Sequence, residues 1–284
     1  MPASNYILNQ ILNYTFGKTS FIVANPHYFY FGLSLSLLTS ADTGDTVVEP
    51  SGLGGSGYAR TQILTSSAFS TSSAGSSVHN ATPVIFTSTG DWTAAGTTPI
   101  LSLFIADAST SGNMLWYTTL SPSLIVPNNT TITFSGSAGS GDIVISNTSS
   151  SEPNTTISNI LNCWLNDATY TIPDPLYFGL STTTIGATGT VTEPSGNAYA
   201  RVSLDNDKSH WSTATAETLH NTGHVYFAAA TGTGWGTVKA LFIATSGTTG
   251  AGTVLWYANL NPTLIIQNGT QVKYEASTMT ISMS

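Results

Sequence analysis

Phe29-Tyr30-Phe31-Gly32-Leu33-Ser34-Leu35-Ser36-Leu37 sets large apolar side chains on every second residue, with smaller or polar residues between them. Successive side chains of an extended chain point to opposite faces, so this period of two predicts a β-strand with one face buried. Its centre, Tyr30-Phe31-Gly32-Leu33-Ser34, reappears as Tyr177-Phe178-Gly179-Leu180-Ser181. The recurrence is not local. Ile11-Leu12-Asn13 returns as Ile160-Leu161-Asn162, and Glu49-Pro50-Ser51-Gly52 as Glu193-Pro194-Ser195-Gly196. Tyr58-Ala59-Arg60 returns as Tyr199-Ala200-Arg201, His79-Asn80 as His220-Asn221, and Leu115-Trp116-Tyr117 as Leu255-Trp256-Tyr257. The order never changes, and gaps fall in Gly/Ser/Thr-rich places. A whole domain has been duplicated, which differs from the short period of a solenoid.

Residues 1–148 and 153–284 are therefore expected to form two β-domains, each with its own core. The boundary falls in Asn147–Thr156, a polar stretch without apolar periodicity, read as a linker. Each copy opens with a short helix. Tyr6, Ile7, Ile11, Leu12 and Phe16 recur at helical spacing, as do Ile157, Ile160, Leu161 and Leu165. Further strands are expected at Tyr58–Leu64, Thr82–Thr87, Ile100–Asp107, Met114–Leu120, Ser123–Val126, Thr130–Ser135 and Asp142–Ser146. In the second copy they fall at Ala198–Leu204, His224–Ala229, Val238–Thr245, Thr253–Leu260, Thr263–Ile266, Thr270–Glu275 and Thr278–Ser282. So many short strands between turn signals predict a mainly β chain of two tandem jelly-roll-like β-sandwiches, each preceded by a short helix.

Composition narrows the function. Only 7% of the 284 residues are charged, and the formal net charge is −8 with six basic residues. A nucleic acid or anionic membrane is an unsuitable partner, because either needs clustered Lys or Arg. A surface of Ser, Thr, Asn and Gly offers little charge repulsion and suits packing against other copies or partners. The single Cys163 excludes an intrachain disulfide and is expected to be a buried, inert thiol. Met1 to Phe16 has no basic start and no unbroken apolar run, so it is not read as a signal peptide, and no stretch is long enough to span a membrane as a helix.

The chain has two arginines, Arg60 and Arg201, at one repeat position, each a short loop after Glu49 or Glu193. A carboxylate and a guanidinium across a turn form a bidentate pair. Such pairs read as structural clasps; the functional reading is a contact with a partner's carboxylate. Catalytic patterns are poor by comparison. Asp91 and Asp107, the candidate glycosidase pair, become Gly234 and Thr245 in the second copy. Glu217 to His224 has histidines four apart, but Gly223 breaks a helix there and Pro83 replaces His224 in copy one, so no metal site is expected. No catalytic residue and no cofactor is assigned. Trp92 and Trp235, with Trp116-Tyr117 and Trp256-Tyr257, read as core aromatics; exposed, Trp116, Tyr117, Trp256 and Tyr257 would stack on a sugar ring.

Five successive elements resemble a family of tailed-bacteriophage virion structural proteins of tail-fibre or decoration type. They are the short helix, Leu-Tyr-x-Gly-Leu-Ser-Thr, Glu-Pro-Ser-Gly-x-x-Tyr-Ala-Arg, an Asn-to-Phe segment followed by Trp-Gly-Thr, and a Leu-Leu-x-Tyr strand. Leu176–Thr182, Glu193–Arg201, Asn221–Phe227, Trp235–Thr237 and Leu255–Tyr257 carry them here, while Trp92-Thr93-Ala94-Ala95-Gly96 departs from the pattern in copy one. Members usually hold one such domain, so doubling is a departure. The resemblance implies a non-enzymatic component on the virion exterior, made in the host cytoplasm. Its partners would be other virion proteins and copies of itself, or, for an adhesin, a host surface glycan.

Overall fold

The computed structural model describes residues 1–17, 28–50, 57–70, 77–92, 98–136, 143–146, 152–166, 168 and 170–283. Half of the expected linker, residues 147–151, lies outside them, and Asn154–Thr156 of the other half already belong to a helix. The chain is mainly β, and every strand pair among the described residues is antiparallel. In order it runs α1 (Asn5–Thr15), β1 (Tyr28–Ser34), β2 (Thr61–Leu64), α2 (Thr65–Ala68), β3 (Ser77–His79), β4 (Val84–Thr87), β5 (Ile100–Ala106), β6 (Met114–Leu124), β7 (Thr131–Phe134) and β8 (Val144–Ser146). It continues with α3 (Asn154–Leu165), β9 (Leu176–Ser181), β10 (Val202–Leu204), β11 (Thr218–His220), β12 (Val225–Tyr226), β13 (Gly236–Ala244), β14 (Val254–Ile266), β15 (Lys273–Tyr274) and β16 (Thr280–Ser282).

Two compact units result. The first takes the described residues of Met1–Leu8, Ile22–Asn147 and Leu161–Thr169; the second takes those of Asn9–Phe21, Thr148–Ile160 and Tyr170–Ser284. In the first unit the four-stranded sheet has the order β2-β1-β5-β6, with two further pairs, β3-β8 and β4-β7. In the second the order is β10-β9-β13-β14, with β11-β16 and β12-β15. The pairs β3-β8, β4-β7 and β5-β6 are nested, as in the folded hairpin of a jelly roll. The first two strands depart from it: β1 pairs with β2 and β5 instead.

Apolar alternation is what places these strands. Phe29, Phe31 and Leu33 of β1 are buried, as are Val84 and Phe86 of β4, while Ile85 between them faces solvent. Gly32 lies opposite Phe104 in the ladder, and a Cβ there would come within 2.2 Å of the Phe104 ring. Gly179 stands in the same relation to Phe242. Only glycine lets the ring lie flat against the neighbouring strand.

Several elements differ from the sequence expectation: α2, β3 and β11 answer to no expected element, and β10 starts at Val202, not Ala198. Met114–Leu120 and Ser123–Val126 form one strand, β6, and Thr253–Leu260 and Thr263–Ile266 form one strand, β14. Pro122 and Pro262 do not end them, because a register shift opposite β5 and β13 leaves the prolines out of the ladder. Strand β2 starts at Thr61, not Tyr58, because Tyr58 and Arg60 use their side chains in the contacts described below. The helices also reach further than a repeat-by-repeat division implies. Ser4 Oγ accepts the Ile7 N–H and caps α1, whose Ile7 and Leu8 belong to the first unit. Asn9 onward belongs to the second. There Asn9 and Asn13 accept the backbone N–H groups of Glu217 and Ala214, at 2.9 and 2.6 Å. Phe16, fully buried, packs 4.7 Å from Trp211 and 4.6 Å from Trp256, centroid to centroid. The apolar periodicity of α1 marks a buried helix but not which strands bury it.

Phe16→Ala therefore removes a core ring of the second unit through a substitution in the first repeat. Chemical unfolding followed by tryptophan fluorescence should show about 3–5 kcal/mol lost. An unchanged midpoint would mean that Phe16 contributes nothing to that core.

Candidate functional site

The two glutamate–arginine pairs are the only places where the sequence puts opposite charges at one repeat position, and the structure brings both together. Glu49 lies in the loop after β1, and Arg60 immediately precedes β2. Arg60 Nε donates to Glu49 Oε1 and Oε2 at 3.1 and 3.3 Å, and Nη2 donates to Oε2 at 3.0 Å. Its remaining N–H groups reach backbone carbonyls: Nη2 to Gly44 at 3.0 Å, Nη1 to Ala108 at 2.7 Å and to Ser111 at 2.8 Å. All five donors of the guanidinium are satisfied within the unit. The same plane lies over the Phe104 ring, 5.0 Å from its centroid.

The second unit repeats the arrangement. Arg201 Nε donates to Glu193 Oε2 at 3.0 Å, Nη2 to Oε1 at 2.6 Å, and Nη1 to the carbonyls of Ser246 and Ala251 at 2.5 and 2.8 Å. Its guanidinium lies 5.1 Å from the Phe242 centroid. Each arginine side chain is 1% exposed, whereas Glu193 is 3% and Glu49 16% exposed. Neither guanidinium is open to a partner's carboxylate, so the partner-contact reading of Arg60 and Arg201 has no surface to act through.

Tyrosines extend both clasps. Tyr58 donates to Glu49 Oε1 at 2.7 Å while its oxygen accepts the Leu33 N–H at 2.8 Å. It thus stands in for the backbone partner that β1 lacks beyond Thr61. Tyr199 does the same between Glu193 and Leu180, each at 2.8 Å. Burial pushes both phenol pKa values well above the ordinary tyrosine value, and the adjacent carboxylates add to the rise, so the hydroxyls stay protonated and donate. Tyr58 packs edge-on to buried Trp92, and Tyr199 edge-on to Trp235. The spacing of Glu, Tyr and Arg thus encodes one network; the hydroxyl's part in it was the functional detail that charge pairing alone did not suggest.

The other sequence candidates sit elsewhere. Trp116 and Trp256 are buried, so their rings cannot stack on a sugar. Trp256 Nε1 donates to buried Glu152 at 2.8 Å. Tyr117 and Tyr257 are half-buried and pack against the clusters around Phe104 and Phe242. Asp91 accepts the Asn128 N–H, and Asp107 accepts both the backbone and side-chain N–H groups of Asn113, so each carboxylate fastens a turn. His220 contacts Thr280, and His224 contacts Glu275 at 3.0 Å; they do not share a ligand position. Among the described residues, Asp205, Asp207 and His210 alone come within metal-ligand reach of one another. There, hydrogen bonds from Ser209 and His210 lower the Asp207 pKa to about 2. Asn80 and Asn221 are fully buried hubs: Asn80 accepts the Ile143 N–H and donates to Ser135, and Asn221 accepts the Met279 N–H and donates to Glu275. Cys163 is half-buried within α3, more open than an inert core thiol.

What the fold and the clasps define is a duplicated β-sheet domain whose strongest charges are bound internally to hold loops against a sheet. A family model described as Podophage GP4 fiber I protein gp80 matches residues 2–141 and, a second time, residues 153–282. The chain belongs to this podophage fibre family, which makes it a structural virion component. No curated protein matches it. No helix among the described residues is long and apolar enough to cross a membrane.

Breaking one clasp should be costly because it strands a buried charge. Arg201→Met should destabilise the second unit by about 3–5 kcal/mol, and Glu193→Gln with Arg201→Met should cost less than the sum of the single changes. Strict additivity in the double-mutant cycle would show that the two side chains are uncoupled. Acid should act on the same clasp. Burial raises the Glu193 pKa, but hydrogen bonds from Arg201, Gly250 and Tyr199 and the Arg201 charge outweigh it, leaving the value below the ordinary carboxylate range. A depressed folded-state pKa gives stability that is complete above the unfolded value, about 4.3, and disappears as pH falls through the folded value. Unfolding midpoints measured from pH 7 down to 2 should therefore fall more steeply below about pH 4.3 in the parent than in Glu193→Gln.

Proposed function

We propose that this chain is a non-enzymatic structural protein on the exterior of the phage particle, in or on a fibre, where it packs against other virion proteins and copies of itself. Family membership carries the reading. The chemistry of the surface supports it. Both arginines lie inside clasps, so among the described residues the basic side chains left for surfaces are Lys208, Lys239 and Lys273. Exposed aliphatic groups instead recur: Ile125 is 50% and Ile265 68% exposed, at the same repeat position just after or near the end of β6 and β14. Leu37 and Val48 add a further pair in the first unit. Contacts made of such groups with Ser, Thr and Asn need no ion pairs.

An adhesin that binds a host glycan is the second reading. It must use loops or half-exposed rings such as Tyr226, since the tryptophans at Trp116 and Trp256 are buried.

Antibody raised against the protein should label fibres of intact particles in electron micrographs; labelling spread over the head would instead make it a capsid decoration. In sedimentation, the purified protein should associate with itself or with particles lacking it, and the association should change little between low and high salt, because there is little charge to screen. A strict monomer that ignores particles but binds or cleaves a soluble glycan would overturn the structural reading.

A further inference from the structure

Neither unit is made of one repeat alone. The second contains the described residues of Asn9–Phe21 from the first repeat, and the first contains those of Leu161–Thr169 from the second. These are the C-terminal ends of α1 and α3 and the positions just after them, so the exchange is reciprocal and uses the same part of the repeat twice. Counted along the two copies, Leu12, Asn13 and Phe16 correspond to Leu161, Asn162 and Leu165. The four apolar side chains among them are all buried.

In the second unit the place that receives the helix end is closely defined. Phe16 packs on Trp211 and on Trp256, and both indoles are themselves buried. Four hydrogen bonds surround that contact. Asn9 and Asn13 accept the N–H groups of Glu217 and Ala214, the Thr15 carbonyl accepts Asn206 Nδ2 at 2.8 Å, and the Tyr14 hydroxyl donates to the Tyr170 carbonyl at 2.9 Å. The turn that offers the two N–H groups is unusual. Ala216 and Glu217 both have left-handed backbone, with φ of 49° and 57°, which a side chain's Cβ disfavours. Such a turn persists where its surroundings fix it, and here Asn9 and Asn13 of the other repeat do so.

The first unit receives its helix end at the matching place. Asn166 Nδ2 donates to the Ser70 carbonyl at 3.0 Å. Ser70 corresponds to Ser212: each follows the residue, Phe69 or Trp211, that bridges buried Asn80 or Asn221, and each donates its N–H to the carbonyl of His79 or His220.

We propose that this place is a docking groove for the helix end of another repeat. A single repeat is then incomplete, and it is completed by its fellow in the same chain or by the same helix end of a second copy of the chain. Exchange of an identical element between copies is a low-cost route to association. Within one chain the two repeats stand at high effective concentration, so the internal pairing fills first. The duplication thus holds in one polypeptide a pairing that separate repeats would have to find by collision. The inference concerns how repeats join, and it holds wherever on the particle the protein sits.

Cutting the full chain once tests it. A protease-recognition sequence inserted between Asn147 and Thr148 lets the purified, folded protein be divided at the repeat boundary. The two pieces should stay paired at micromolar concentration and appear in native mass spectrometry as one species with the mass of the whole cut chain. When isotopically heavy and light samples of cut protein are mixed, heavy–light pairs should form at the rate at which the pairs dissociate, because a second copy supplies the same helix end. Asn9→Ala with Asn13→Ala should weaken pairing in a dilution series by about fivefold for each hydrogen bond lost. Phe16→Leu, which brings in the residue that the second repeat carries at this position, should shift pairing in the same direction. Circular dichroism of the uncut variants checks that they fold. Pieces that separate into two folded monomers, pairs that dissociate but never form mixed partners, or pairing that neither variant weakens would overturn the proposal.

Discussion

A guanidinium inside a protein must find acceptors for its N–H donors, and that requirement organises each half of this chain. The loop carrying Glu49, the carbonyls of Gly44, Ala108 and Ser111, and the ring of Phe104 are all fixed relative to one cation. Phe104 can lie beneath it only because Gly32 has no side chain on the adjacent strand. Loop, turn, strand and neighbouring strand are thus tied at one point. Isolated buried ion pairs contribute little net stability, since desolvation offsets attraction. Their strength as a constraint lies elsewhere: any arrangement that leaves the charge or a donor unpaired is heavily penalised, so one loop conformation is selected.

That selection explains why the motif persists while the loop between its parts does not. Arg60 lies eleven positions after Glu49 and Arg201 eight positions after Glu193, yet the guanidinium donates to two turn carbonyls and the tyrosine bridges to the same strand position in both. The shorter loop gives the drier clasp, and Glu193 gains a bond from the Gly250 N–H. Loop length costs little free energy once the ends are fixed, so a clasp tolerates such changes between copies.

The same logic separates what could be read in the sequence from what could not. Period-two alternation marked the strand from Phe29 to Leu33, as the repeats marked the duplication and the Glu–Arg pairs, but β1 ends at Ser34 and Leu37, expected on its buried face, is exposed. Strand ends were less legible. Tyr58–Arg60 has the composition of a strand, but its side chains complete a network with Leu33 and Glu49 that no local pattern encodes. Met114–Leu120 and Ser123–Val126 were expected as separate strands, as were Thr253–Leu260 and Thr263–Ile266, yet a register shift lets one strand run through each pair. Helical spacing in α1 showed that Ile11, Leu12 and Phe16 are buried. It is silent about the partners, because Trp211 and Trp256 lie some two hundred residues away in sequence.

The two copies agree where backbone geometry is set and differ where side chains meet solvent or fill a void. Glycine, phenylalanine, tyrosine, glutamate and arginine of the clasp recur without exception, as do the buried hubs Asn80 and Asn221. Around the β4 and β12 strands, by contrast, Pro83 and Ile85 become His224 and Tyr226, and the exposed aliphatic side chain gives way to a polar group of His224, Tyr226 and Glu275 with Lys273 over the tyrosine ring. Phe69 likewise becomes Trp211. Exposed positions tolerate such changes at little cost in stability, whereas a change in the clasp would strand a buried charge. The shared framework can carry two different surfaces because the clasp fixes the loops from inside and leaves the outward-facing strands free to change. The physical division within each repeat is therefore between a charge-locked interior that is the same in both copies and outward-facing strand positions that differ between them.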